Sequence, residues 1–136
     1  MITAVDSNVL IDVLSADPTF GPRSWAALRR ARDEGVLFVC DVVWSEVIGA
    51  FPDRGATEAA LGRLSIAYSE VGRRASTRAG LAWRAYRRAG GSRDRIVADF
   101  LVGAHAIEQA DRLLTRDRGF QRRAFAGLTI IDPTQT

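Results

Sequence analysis

Short apolar runs alternate along this chain with stretches whose apolar residues recur every three or four positions, the pattern of strands interleaved with amphipathic helices. Runs at 2–5, 36–40, 66–70, 112–115 and 128–131 predict five strands. Between them, the spacing predicts helices over 8–14 with Ser7 as cap, over 21–34 stopped by Gly35, and from the cap Asp41 to Phe51, where Pro52 ends the turn. Further helices are expected over 56–64, over 73–89 as far as the Gly90-Gly91 pair, from Ser92 or Asp94 to Ala110, and over 119–125. Pro133 opens a tail, 133–136, that carries no signal. Strands separated throughout by helices predict an α/β fold: one domain over residues 1–136, with a parallel five-stranded sheet flanked by helices on both faces.

Composition narrows the class. With 136 residues, 47% hydrophobic and 26% charged, the chain can bury a core without staples and is neither disordered nor membranous. The longest apolar run, 35–40, stops at Asp41, too short for a bilayer, and Asp6 breaks the first run, so no secretory signal is read. A lone cysteine, Cys40, suits a reducing cytoplasm and reads as a buried filler. All 19 basic residues are arginine, against 16 acids, for a net charge of +3. The lack of lysine is read as coding bias; the small positive charge tolerates a polyanionic partner without identifying one.

Ligands of open parallel sheets bind outside the carboxyl ends of strands, so the residues that follow each strand carry the functional question. Asp6 follows the first strand and Asp117 lies just past the fourth. If those strands are neighbours, the two carboxylates meet, each disfavouring the other's ionisation, and a divalent cation removes that penalty. Helix capping is the plain alternative for either one. Glu46 lies in the helix after the second strand, and Asp99 falls at the edge of the apolar stripe Ile96, Val97, Phe100, Leu101, Ala104 and Ile107. No arginine four residues away on its own helix can pair with Asp99. Asp12 is expected to be solvated, Asp94 to cap a helix, and His105 to be a packing or interface residue, since it sits about 120° around the helix from Asp99.

These residues resemble the PIN-domain family in four places. The stretch Ala4-Val5-Asp6-Ser7-Asn8-Val9-Leu10-Ile11 is similar to its opening motif, a strand ending in Asp-(Ser/Thr)-Asn. Val42-Val43-Trp44-Ser45-Glu46-Val47 resembles its second motif, and Arg95-Ile96-Val97-Ala98-Asp99-Phe100-Leu101-Val102-Gly103-Ala104-His105-Ala106 its third. Leu113-Leu114-Thr115-Arg116-Asp117-Arg118-Gly119-Phe120 resembles the fourth, and Leu128-Thr129-Ile130-Ile131-Asp132-Pro133 the usual last strand. Within the family, a free-standing domain of this length most resembles the VapC toxins of bacterial toxin–antitoxin pairs.

The resemblance implies a metal-dependent endoribonuclease with Asp6, Glu46, Asp99 and Asp117 around Mg²⁺, with Mn²⁺ also supporting activity. Oxygen-only ligands suit such hard cations and argue against zinc. It implies RNA as substrate, products with 5′-phosphate and 3′-hydroxyl ends, a VapB-like antitoxin as partner and a homodimer. Asn8 and Thr115 are expected to hold Asp6 and Asp117 by hydrogen bonds. Arg95, Arg116 and Arg118 flank the acids and are expected to meet phosphates, while the arginines of 73–89 read as a solvated face. Trp25, Trp44 and Trp83 read as core or interface residues. An Asp-based phosphatase or receiver ranks lower, because Asn8 stands where a second acid is wanted and no lysine exists. A non-catalytic PIN binding module would be expected to have lost one of the four acids.

Overall fold

A computed structural model describes residues 1–135; Thr136, the end of the expected tail, lies outside the described residues. In chain order the elements are β1 (Ile2–Val5), α1 (Ser7–Leu14), α2 (Gly21–Glu34), β2 (Val36–Val39), α3 (Asp41–Ala50) and α4 (Arg54–Arg63). They continue as β3 (Ile66–Tyr68), α5 (Arg73–Arg88), α6 (Val97–Gln109), β4 (Arg112–Leu114), α7 (Arg118–Ala124) and β5 (Ile130–Ile131). The five strands form one parallel sheet in the order β3-β2-β1-β4-β5. The chain therefore steps outward from β1 to β3, returns, and steps the other way through β4 to β5. Right-handed crossovers place α1 to α4 on one face and α5 to α7 on the other. The direction reverses between β1 and β4, which makes their carboxyl ends the crevice of the fold.

Burial explains why the strands read as short continuous apolar runs. Ala4, Val5, Leu37, Val39, Leu113 and Leu114 are covered on both faces, by Val9, Leu10, Leu28, Val43, Val47 and Leu61 and by Phe100, Ala104, Phe120 and Phe125. Each fully buried aliphatic or aromatic side chain contributes about 1.5–3 kcal/mol. In α6 the run Val102, Gly103, Ala104, His105 and Ala106 is wholly buried, so that helix is packed between the sheet and α5.

The structure corrects several expected element ends. Cys40, and not Asp41, is the N-cap of α3, whose first residue is Asp41. Asp6, and not Ser7, is the N-cap of α1, its Oδ1 accepting from the Ser7 amide at 2.8 Å. Neither Ser92 nor Asp94 caps α6, which starts later, at Val97; the Asp99 carboxylate reaches back to the Ile96 amide at 2.9 Å and closes its first turn. The last strand shortens to Ile130–Ile131, because only those residues pair with β4.

Gly103 is the position on α6 where a side chain has no room. A Cβ there would lie 2.1 Å from Gln121 Oε1 and 2.5 Å from the Phe125 ring, both buried. Gly103→Ala is expected to destabilise the fold by about 1–3 kcal/mol through overpacking, despite the better helix propensity of alanine. Urea unfolding would measure it, and an unchanged midpoint would refute the tight α6–α7 contact.

Candidate active site

Four separate elements bring the four acids to one place. Val5 pairs with Leu114, so the next residues of β1 and β4, Asp6 and Thr115, leave the sheet side by side. The Asp6 amide still bonds to the Leu114 carbonyl at 2.9 Å, and Asp117 follows two residues later. Glu46 comes from the middle of α3 and Asp99 from the first turn of α6. Together with Ser7, Asn8, Ala98, Val102 and Gln121 they line a pocket of about 110 Å³ at the β1–β4 crevice.

Thr115, fully buried, is the hub of the hydrogen bonding there. Its hydroxyl donates to Asp6 Oδ2 at 2.7 Å and accepts from the Asp117 amide at 2.9 Å and from Asn8 Nδ2 at 3.4 Å. Asn8 Nδ2 also lies 3.5 Å from Asp6 Oδ2, while Asn8 Oδ1 accepts from the Arg116 amide at 3.2 Å. One threonine and one asparagine thus tie the turn after β4 to the start of α1.

The electrostatics are those of crowded acids. Burial raises the Asp6 pKa; hydrogen bonds from Thr115 and Ser7 oppose the rise, and the charges of Asp117 and Asp99 add to it. Partial burial likewise raises Glu46, helped by Asp6 and Asp99. Besides Asp6, held by Ser7 and Thr115, two more of the four carboxylates are already engaged. Arg95 grips Asp117 through two bonds, at 2.5 and 3.0 Å, and Asp99 Oδ2 holds the Ile96 amide. Among the described residues no three acids form a ready-made metal cage. The donor set still fits a hard divalent cation: four carboxylates line a small polar pocket, with two pKa values raised by mutual repulsion and burial.

A family model for the PIN domain matches residues 3–126. The chain belongs to the PIN domain family. No curated protein matches the sequence significantly. The fold of this PIN domain is similar to that in VapBC2 of Rickettsia felis bound to a promoter DNA fragment, at 16% identity and a TM-score of 0.75, covering 97% of this chain and 98% of that one. It is also similar to VapBC-1 of nontypeable Haemophilus influenzae, at 15% identity and a TM-score of 0.75, over 99% and 100% of the two chains. FitAcB of Neisseria gonorrhoeae gives 18% identity and a TM-score of 0.68, over 100% of both.

Around the acids of this PIN domain the arginines divide sharply. Arg116 forks onto Asp12 at 2.7 and 3.0 Å and lies 3.9 Å over the Phe20 ring. Asp12 is not solvated as expected: it is 4% exposed, and Ser24 Oγ donates to it at 2.9 Å. Arg118 stands 3.8 Å from Asp132, and Arg95 lies 4.0 Å over Phe120. His105, 1% exposed, bonds to Ser69 at 3.0 Å and packs on Phe38, and burial lowers its pKa. Cys40 is buried, which pushes its thiol up to about 11. Of the tryptophans, Trp44 packs edge-on against Tyr68, whereas Trp25 remains 37% exposed.

Sequence reading did not single out Gln121. It is 2% exposed, lines the acidic pocket, and donates from Nε2 to the Asp99 carbonyl at 3.3 Å, tying α7 to the first turn of α6. The available signal was a polar residue one position after the buried Phe120 in a short helix, too common a pattern to stand out.

Proposed function

We infer that this PIN domain is a divalent-metal-dependent endoribonuclease of the VapC type, active in the cytoplasm as a homodimer and held in check by a VapB-like antitoxin. The observation that supports it most is the convergence of Asp6, Glu46, Asp99 and Asp117, from four elements, on one pocket at the sheet's crevice. The fold shared with chains of VapBC and FitAcB complexes supports the antitoxin partner. Among the described residues no helix is long and apolar enough to cross a membrane.

Asp6, Asp99 and Asp117, with Glu46 at the solvent side, would hold Mg²⁺ or Mn²⁺. Such a cation, when bound, lowers the pKa of an attacking water and offsets negative charge on the phosphate. The chain's own residues do the rest. Thr115 and Asn8 fix the Asp6 carboxylate, and the hydrogen bond that the Asp117 N–H donates to the Thr115 hydroxyl fixes the turn that carries the fourth acid. Arg95 neutralises Asp117 and, on releasing it, offers a guanidinium to a phosphate beside the scissile bond. Water as nucleophile leaves 5′-phosphate and 3′-hydroxyl ends and does not require the ribose 2′-hydroxyl.

Purified protein is expected to cut RNA with Mg²⁺ or Mn²⁺, to stop in EDTA, and to resume when the cation is restored in excess. Mapping 5′-phosphate ends in total RNA checks activity, end chemistry and target together. Arg95→Ala gives two effects of opposite sign. Mn²⁺ affinity, followed by electron paramagnetic resonance, is expected to rise about fivefold, equivalent to ~1 kcal/mol for a part-exposed ion pair. RNA affinity falls. If both fall together, Arg95 is not a competitor for Asp117.

A further inference from the structure

We propose that the groove between α5 and α7 seats the base of an RNA nucleotide next to the scissile phosphate. This rests on the ribonuclease reading above. The acidic pocket, at about 110 Å³ and lined by four carboxylates, suits ions and water and not an apolar base face, so a base has its place outside it. A groove of about 310 Å³ adjoins it, lined by Ala82, Ala85, Tyr86 and Ala89 of α5, by Phe100, and by Phe120, Arg123 and Ala124 of α7. Asp99 and Gln121 face the acidic pocket, while their chain neighbours Phe100 and Phe120 line the groove. Acids and groove therefore occupy adjacent sides of the same α6–α7 pair.

The chemistry of the groove fits a nucleobase attached to phosphates. Half-buried Tyr86 and the small side chains of Ala82, Ala85 and Ala89 form its open surface, and Tyr86 is held from beneath by the buried rings of Phe100 at 5.4 Å and Phe120 at 6.2 Å. A partly exposed aromatic ring beside small apolar side chains offers a base a contact that tolerates any sequence. Charge complementarity selects RNA as the occupant. Arg123 lines the groove and has no acidic partner among the described residues. Arg95 bridges the two sites, its guanidinium over Phe120 and its fork on Asp117. A strand laid with one phosphate at the acids and its neighbouring base over Tyr86 meets positive charge on both sides.

Two exposed positions test this without disturbing the core: Arg123→Glu, and Ala85→Trp, which fills the groove. On the Asp6→Asn background, anisotropy of a labelled single-stranded oligoribonucleotide that the unaltered protein cuts is expected to show binding roughly tenfold weaker for each. Arg123→Glu also makes the dependence on salt less steep, by about one unit of slope. With Asp6 intact, Ala85→Trp changes the base preference beside the cut. Melting temperature and Mn²⁺ affinity stay those of the parent. Unchanged RNA binding and base preference in both variants would overturn the groove while leaving the ribonuclease reading in place. A fall in RNA affinity only in step with Mn²⁺ affinity would overturn it too, as would loss of antitoxin binding alone. An unaltered protein that neither binds nor cuts RNA would remove the ribonuclease reading and the groove together.

Discussion

Replacing Asp6 with asparagine is expected to lower RNA cleavage at least about a thousandfold, because it removes the carboxylate at the centre of the acid set proposed to hold the cation. The same change is expected to leave the metal-free protein as stable as the parent or more so. The sign follows from the folded-state pKa of Asp6, which burial raises above 3.8, aided by the charges of Asp117 and Asp99. A carboxyl with a raised folded pKa binds its proton more tightly in the native state, so it lends stability below its unfolded pKa and loses it as pH rises through the folded pKa. At neutral pH the ionised Asp6 is therefore a cost that asparagine avoids. In EDTA, the melting temperature of Asp6→Asn relative to the parent should be highest near neutrality and should decline as the pH is lowered toward 4. Adding Mn²⁺ should raise the parent's melting temperature and leave the variant's nearly unchanged, since only a ligand bound to the native state stabilises it. Undiminished cleavage by Asp6→Asn, or an equal Mn²⁺ shift in both proteins, would be incompatible with Asp6 as a metal ligand.

Asp12→Ala should be the most damaging single change to stability near the site, at about 2–4 kcal/mol, or on the order of 10 °C in melting temperature. It strips the buried partner from Arg116, whose guanidinium is held by Asp12 in a two-pronged pair, and leaves Ser24 Oγ, itself wholly buried, without an acceptor. The double change Asp12→Leu with Arg116→Met should recover part of the loss, since removing both charges leaves none unpaired. This pair also occupies the Arg116 side chain. Its amide holds Asn8 and its side chain holds α1 to the turn after β4, so Arg116→Met is expected to lower stability far more than RNA affinity. The reverse ranking, measured by urea unfolding and RNA anisotropy, would make substrate binding the main role of Arg116. Arg95, gripping an acid that lines the pocket, is expected to show the opposite balance.

The elements themselves were legible because each is encoded within its own segment. Continuous apolar runs such as Leu37–Val39 and the three-to-four spacing of Leu28 and Ala31 reflect burial on fixed faces. The start of α6 was misjudged because Ser92 and Asp94 look like caps, whereas the group that closes the first turn is Asp99, three residues inside. Asp12 was misjudged for a different reason. An aspartate past the first turn of a helix is ordinarily solvated, and its partner Arg116 is 104 residues away.

What the sequence determined alone is the alternation of strands and helices and the placing of an acid after β1 and just past β4, since both depend on neighbours a few bonds away. Strand order was a tertiary outcome: only the pairing of β1 with β4 sets Asp6 beside Thr115 and Asp117. The allocation of arginines was another, because a guanidinium is claimed by whichever carboxylate the packed fold brings within 3 Å, and composition cannot say which. Arg116 went to Asp12 and Arg95 to Asp117, leaving Arg123 unpaired among the described residues beside the aromatic groove.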